Sequence, residues 1–261
     1  MVLRAAGKSS PVAAEIGKQV IQEYQAHADE TGTRVNNKNW WVHVLCTSAL
    51  TFLALHEKRG KIAMDDIRLL KQFHGILTHD CWSSYWSCEG NFLHSVCCAH
   101  LLRELNGVME NYPEQKWAKK LSMLLIEMKK IRDTMAESGY TALRPCYLDK
   151  CDEVYDDTIR LALDENPLPE NPLRKRGRRK KGKVRALIER LQKYKGEVCL
   201  FVKDFAVLLD NNQAERDIRM EKQKPKYPDA SLLKKVQNLS SLSCHMWALL
   251  KNMVSTHLRQ F

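Results

Sequence analysis

The strand-like segments of this chain all lie within its first hundred residues, and their order most constrains how it folds. Residues 26–31 are strand-like, and Gly32 after them is typical of a turn. Residues 40–47 and 50–56 are β-rich runs separated by two residues, a spacing that predicts a hairpin. We therefore expect the sheet to be built from the N-terminal part of the chain.

An amphipathic segment and one more strand follow the hairpin. Residues 61–73 have an apolar face at helical spacing, and residues 75–80 are again strand-like. A helix between two strands returns the chain so that the second strand can pair beside the first. Residues 26–31 and 75–80 are thus expected to be neighbours, with Asp29 and Asp80 at the ends of adjacent strands, close enough to share a cation.

The second half of the chain is dominated by helical patterns. Residues 114–135, 147–163 and 184–194 carry apolar side chains at three- and four-residue spacing. Prolines between positions 167 and 172 predict a linker, and eight of the ten residues 174–183 are basic. The expected fold class is α/β, a mixed sheet domain interrupted by a helical insertion.

Composition sets limits on compartment and partners. A chain of 261 residues with 44% hydrophobic residues can bury a large core. Its formal net charge of +11 suits a polyanion partner, although a basic soluble protein without such a partner has the same composition. Residues 1–25 contain no continuous apolar core of a secretory signal, and no run approaches the ~20 apolar residues of a membrane span. We expect a cytoplasmic protein with no membrane partner and with its nine cysteines reduced.

A dense polar stretch, residues 210–219, follows the apolar run 198–209. Asp210, Asn211 or Asn212 can cap a helix over residues 214–220. On that helix Glu215 and Arg219 share a face. By itself this is a capped surface helix with an ion pair, but its acid would be the third carboxylate beside Asp29 and Asp80.

Five motifs follow one another in register along the chain. They are Asp29-Glu30-Thr31-Gly32, Asn39-Trp40-Trp41, His79-Asp80-Cys81-Trp82, Cys97-Cys98-Ala99-His100-Leu101-Leu102-Arg103-Glu104-Leu105 and the stretch 210–219. Together they resemble transposases of the insertion-sequence-66 type, which belong to the DDE superfamily. The resemblance runs from about Ala28 to about Glu221, and both ends of the chain depart from it.

The resemblance implies a ribonuclease-H-like fold and a DNA transposase that hydrolyses phosphodiesters at transposon ends and transfers the freed strand to target DNA. The family's catalytic, metal-binding acids match Asp29, Asp80 and Glu215. Two divalent cations, Mg²⁺ or Mn²⁺, are implied, with transposon-end and target DNA as partners and a homo-oligomer as the active form. The alternative is a noncatalytic DNA-binding relic that keeps the fold and the basic surface.

The same comparison divides the chain into segments. These are residues 1–25 as a peripheral N-terminal segment, 26–105 as the first part of the catalytic domain, 106–196 as the helical insertion with its basic linker 174–183, 197–222 as the return of the catalytic domain with Glu215, and 223–261 as a divergent C-terminal tail.

Two neighbouring acids are expected to lie outside the catalytic set. Glu30 follows Asp29 on a strand and must point to the opposite face. Asp217 is two residues from Glu215 on a helix and faces elsewhere.

Cys97 and His100 match a cysteine and histidine pair that recurs in the family. Cys81, Cys88, Cys98 and His94 lie nearby in sequence, so zinc is conceivable; without a second C-x-x-C spacing, local packing or hydrogen bonding is favoured.

Candidate phosphate contacts are Arg103 and, in the linker, Arg174, Lys175, Arg176, Arg178, Arg179, Lys180 and Lys181; each can equally be a solvated charge. Trp40, Trp41 and Trp82 could stack on bases, but we expect core packing for at least two of them.

The tail after Lys224 is expected to be a frameshift product. Residues 226–231 can be encoded by AAA TAT CCG GAT GCT TCN, and reading from the third base gives Ile-Ser-Gly-Cys-Phe, which fits the family pattern. The same shift over residues 241–247 can restore a second family-like segment. The family's upstream region for end recognition has no room before Asp29, so we expect a truncated copy that does not transpose.

Overall fold

The computed structural model describes residues 12, 14–35, 38–168 and 182–222. Within them the chain is mixed α/β, which confirms the predicted class at that level. The elements in chain order are α1 (residues 14–20), β1 (Gln25–Val35), β2 (Lys38–Cys46), β3 (Thr51–His56), α2 (Lys61–Ile67), α3 (Leu69–Gln72), β4 (Ile76–His79), α4 (Ser83–Ser87), β5 (Leu93–Val96), α5 (Cys98–Asn111), α6 (Trp117–Glu137), α7 (Pro145–Glu165), α8 (Lys183–Lys193), α9 (Lys195–Val198), α10 (Leu200–Lys203) and α11 (Asn212–Lys222).

The five strands form one mixed sheet in the order β3-β2-β1-β4-β5. β2 and β3 are antiparallel, as the predicted hairpin requires, and Thr47 Oγ1 accepts the backbone N–H groups of Ala49 and Leu50 in the turn. β4 pairs with β1 in parallel, so the predicted neighbours are neighbours. The parallel pairing follows from the crossover through α2 and α3.

The first strand is longer than predicted. Gly32 does not form a turn; it lies inside β1 opposite Trp41, and β1 continues to Val35. The Trp41 ring covers the position where Gly32 lacks a side chain, at 3.7 Å from a Cβ placed there. Cross-strand packing thus outweighs the turn preference of glycine. Asp29 therefore lies in the middle of β1 and not at its end.

The predicted helix over residues 61–73 is two short helices, α2 and α3. Arg68 separates them with a left-handed φ of 62°, and its N–H bonds to the Met64 carbonyl. Met64 of α2 and Leu70 of α3 pack in the same core. The break at Arg68 thus turns the chain so that both helices contribute apolar side chains to that core. The sequence patterns also did not predict α4 or β5, each of five residues or fewer.

Each face of the sheet has its own core. On one face, residues from α1 to α4 pack with Ala26, Ala28, Leu45 and Leu77. On the opposite face, Val42, Val44, Cys46 and Leu53 pack with Ala214 and Ile218 of α11. The sheet is therefore covered on both sides, and α11 covers the face that the odd-numbered residues of β1 share.

The described residues form two compact units. Residues up to His94 together with 211–222 form the first, and Ser95–Asp210 form the second. Among the described residues, every element that begins after Val96 is a helix, in line with the predicted helical patterns, and Trp117, Leu121 and Tyr155 are fully buried in the second unit. None of the described helices is long and apolar enough to cross a membrane.

Candidate functional site

Asp29 lies on the sheet face that α11 covers. It is directly opposite Val44, and directly opposed residues of antiparallel strands share a face. Val44 packs in one cluster with Ala214 and Ile218 of α11, and α11 contacts both β1 and β2. The carboxylate of Asp29 accepts the backbone N–H of Glu30 at 2.8 Å.

Asp80 lies at the end of the strand next to β1. It directly follows β4, in which Thr78 accepts a hydrogen bond from Gln25 Nε2 at 2.9 Å. His27 pairs with Thr78 and lies on the same face of β1 as Asp29, so Thr78 points to that face. Asp80 lies just past the end of β4, and its charge acts on Asp29 as well as on Glu30 and Tyr85. Asp80 Oδ1 accepts the Trp82 N–H at 2.9 Å, which orients the carboxylate.

Glu215 lies in the first turn of α11, one residue after the buried Ala214. Its side chain is 16% exposed, whereas that of Arg219 is 70% exposed, so the acid is turned toward the sheet more than its neighbour is. Arg219 Nη2 lies 3.9 Å from Glu215 Oε2, as expected for residues four apart. An ion pair at that distance with one partner exposed contributes little to stability.

The three acids lie within electrostatic reach of one another. The pKa of Asp29 is raised to about 7, first by burial and then by the negative charges of Glu30, Asp80 and Glu215; the Glu30 N–H acts in the opposite direction. Among the described residues, no group of three or more His, Cys, Asp or Glu side chains has metal-binding geometry. The kind of donor nevertheless fits a hard cation, because all three side chains offer carboxylate oxygens.

Comparison with protein families shows the family of the chain. The family model described as Transposase IS66 family matches residues 1–227. The chain belongs to the IS66 transposase family. No curated protein matches it in sequence.

Because the family match includes residues 1–27, the expectation that the N-terminal end departs from the family is wrong. Residues 223–261, with the predicted frameshift, lie outside the described part of the structure.

In this transposase, the side chain of Glu30 lies on the face of the sheet opposite to that of Asp29. Its buried carboxylate accepts hydrogen bonds from Tyr85 Oη at 2.7 Å and from Arg59 Nη2 at 2.8 Å. Burial raises the pKa of Glu30, while these two donors counteract the rise. Both donors lie on the sheet face opposite to α11, as strand alternation predicts. The contacts of Glu30 are therefore those of a residue with a structural role.

Two of the three tryptophans in the sequence motifs flank Arg59. Its guanidinium lies 4.7 Å from the Trp41 ring centroid and 4.1 Å from that of Trp82. Trp82 also packs against the core on the sheet face that carries Glu30. These contacts agree with packing roles for Trp41 and Trp82.

Asp217 is buried and does not share the exposed side of α11. It accepts a hydrogen bond from Thr51 Oγ1 of β3 at 2.5 Å and further bonds from Gln213 Nε2. Asn211 is also fully buried, and its side chain bonds to β1. Sequence patterns indicated Asn211 only as a possible helix cap. One asparagine suffices for a cap, so the presence of Asn212 beside it was the available signal that Asn211 has another role.

The remaining predicted residues have a simpler placement. His100 Nδ1 lies 3.2 Å from Sγ of the buried Cys97, a local contact of the kind favoured above. His94 Nδ1 lies 3.0 Å from His79 Nε2, and His79 Nδ1 accepts the backbone N–H of Cys81 at 3.1 Å. Cys88 Sγ donates to the Tyr85 carbonyl at 3.3 Å. Arg103 is exposed on α5. The basic residues Arg174, Lys175, Arg176, Arg178, Arg179, Lys180 and Lys181 lie outside the described residues.

Proposed function

We propose that this chain is a DDE-type transposase in which Asp29, Asp80 and Glu215 form one catalytic, metal-binding site. The observation that supports it best is geometric. Three elements distant in sequence, β1, the end of β4 and α11, carry these acids, and the charges of Asp80 and Glu215 act electrostatically on Asp29. Three carboxylates from separate elements are the ligands that a pair of Mg²⁺ or Mn²⁺ ions requires.

The order of the strands supports a ribonuclease-H-like assignment for the sheet. Three antiparallel strands, β1 to β3, are followed by a parallel strand, β4, beside the first. The third acid is then supplied by a helix that packs across β1 and β2 after a long run of helices. This arrangement fits the helical insertion that the family resemblance implies between the second and third acids.

The proposed chemistry is phosphodiester hydrolysis followed by strand transfer. A water oxygen forms a bond to phosphorus, the bond to the 3′ oxygen breaks, and that oxygen takes a proton to become a free 3′-hydroxyl. In strand transfer, the oxygen of this 3′-hydroxyl loses its proton and forms a bond to a phosphorus of target DNA. The bond from that phosphorus to the target's 3′ oxygen breaks, and the released oxygen takes up a proton. Bound divalent cations would activate the attacking oxygen and stabilise the leaving oxygen.

The residues of this chain would hold and orient that site. Asp29 supplies a central, partly buried carboxylate, Asp80 is oriented by the Trp82 N–H, and Glu215 approaches from the helix. On the opposite face of the sheet, Arg59 and Tyr85 donate hydrogen bonds to the buried carboxylate of Glu30. We further propose that DNA is bound through the basic surface, with Arg103 and the run 174–181 as phosphate contacts, by a homo-oligomer.

A nicking assay tests the proposal. The chain is incubated with supercoiled DNA that carries the element's ends, in Mg²⁺ or Mn²⁺, beside the variants D29N, D80N and E215Q and the exposed control E57Q. We expect cation-dependent nicks with 3′-hydroxyl ends from the wild type and E57Q, and none from the three site variants, with DNA binding retained by all. Binding without cleavage by the wild type would favour the noncatalytic relic. Binding and cleavage that fall together in the site variants would indicate a structural role for the acids.

A further inference from the structure

The helix that carries Glu215 is held to the sheet by directional contacts at two points. Its apolar contacts, Ala214 and Ile218, pack on Val42, Val44 and Leu53. Apolar packing is non-directional and tolerates small rotations or slides of a helix. A displacement of one residue along the axis moves a helical side chain by about 1.5 Å and turns it by about 100°. Polar contacts are needed to fix the register of Glu215.

Asn211 provides the first contact. Its Nδ2 donates to the carbonyl of Ala28 at 2.8 Å, and its Oδ1 lies 3.2 Å from Nδ1 of His27. A carbonyl oxygen only accepts, so the amide must face Ala28, and the His27 nitrogen that faces Oδ1 must carry the hydrogen. Asn211 is fully buried, four residues before Glu215, and is bonded to the two residues that precede Asp29.

Asp217 provides the second contact. Its Oδ2 accepts the hydroxyl hydrogen of Thr51 on β3 at 2.5 Å, and Gln213 Nε2 donates to the same carboxylate. Asp217 is 6% exposed. One contact therefore precedes Glu215 by four residues and the other follows it by two, and they bond to different strands.

We propose that Asn211 and Asp217 are positioning residues that set the register of Glu215 against Asp29, so that cation affinity depends on both although neither binds the cation. This inference rests on the proposed metal site. It differs from an assignment of Asp217 as a ligand, because the carboxylate of Asp217 is already occupied by Thr51 and Gln213. Residues that orient metal ligands typically change metal affinity by about 10–100-fold when they are removed.

Calorimetric titration of the full chain with Mn²⁺ tests the inference without a need for catalysis. We expect N211A and D217A to bind Mn²⁺ at least about tenfold more weakly than the wild type. D217N keeps an oxygen that can accept from Thr51, so we expect its affinity to stay within about threefold of the wild type. T47A is the control for lost stability, because it removes a buried hydroxyl that holds the β2–β3 turn in the same unit.

The variants separate the possible outcomes. If the wild type does not bind Mn²⁺, or if D29N binds as well as the wild type, the proposed metal site is wrong and the inference fails with it. If D29N abolishes binding while N211A and D217A bind as the wild type does, only the positioning roles are refuted. A loss in T47A equal to that in N211A would refute positioning in favour of general destabilisation. A loss in D217N equal to that in D217A would show that the charge of Asp217 matters and not its contact with Thr51.

Discussion

Replacing Asp29 with asparagine should stabilise the fold at alkaline pH while it removes a proposed catalytic carboxylate. In the wild type, burial and the charges of Glu30, Asp80 and Glu215 disfavour the ionised form of Asp29. The variant has no charge at this position, yet its side-chain oxygen can still accept the Glu30 N–H. The substitution thus removes the repulsion and keeps the local hydrogen bond.

The magnitude follows from the pKa of Asp29, which rises from 3.8 to about 7 on folding. One pKa unit corresponds to about 1.4 kcal/mol, so the full shift corresponds to about 4 kcal/mol. Asp29 is not fully buried, and solvent screening reduces the expected gain to about 1–3 kcal/mol. Because the folded pKa is the higher one, the folded state holds a proton that the unfolded state releases. Wild-type stability is therefore lost as pH rises from about 4 through 7.

Urea denaturation without divalent cations at pH 4, 6 and 8 measures this effect. We expect D29N to equal the wild type at pH 4 and to exceed it by about 1–3 kcal/mol at pH 8. E57Q, which changes an exposed acid of the same unit, should follow the wild type at each pH. A difference between D29N and the wild type that does not change with pH, or a less stable D29N at pH 8, would refute the electrostatic account of the site.

Three further predictions concern other parts of the chain. Y85F should lower the free energy of unfolding by about 1–3 kcal/mol, because it removes the hydroxyl that donates to buried Glu30; an unchanged urea midpoint would contradict this. Burial lowers the pKa of His43 to about 4, below its unfolded value of 6.5, so stability is lost as pH falls through this window. H43Q should make that loss smaller by up to about 3 kcal/mol in pH-dependent urea titrations, and an equally steep loss would count against it. Neutralising four charges of the run 174–181 should reduce the slope of log affinity against log salt by roughly 0.9 per lost phosphate contact, and an unchanged slope would exclude contacts by this run.

The sheet could be predicted from sequence largely because its signals are local. Two β-rich runs with a two-residue connection predicted the β2–β3 hairpin, and the intervening helical segment predicted β4 beside β1. The errors arose where tertiary contacts outweigh local preference. Gly32 stays in β1 because Trp41 packs over it, and Arg68 adopts a left-handed conformation where α2 ends and α3 begins.

The site shows the same division between local and distant causes. Strand alternation suffices to separate Asp29 from Glu30, and the contacts of Glu30 with Tyr85 and Arg59 follow that alternation. The bond from Asn211 to Ala28 joins residues 183 positions apart, and the bond from Thr51 to Asp217 spans 166 positions. Such contacts depend on where α11 crosses the sheet, and periodicity within α11 carries no information about that crossing.

The central claim is that Asp29, Asp80 and Glu215 share divalent cations. Crystals of the chain grown with Mn²⁺ and measured at the manganese absorption edge test it most directly, because anomalous scattering locates the ions independently of activity. The account predicts one or two peaks with oxygens of all three carboxylates at about 2.0–2.4 Å, and, if there are two, about 3.5–4 Å apart. Manganese bound elsewhere, or a peak coordinated by Asp217 or Glu30 in place of these acids, would contradict it.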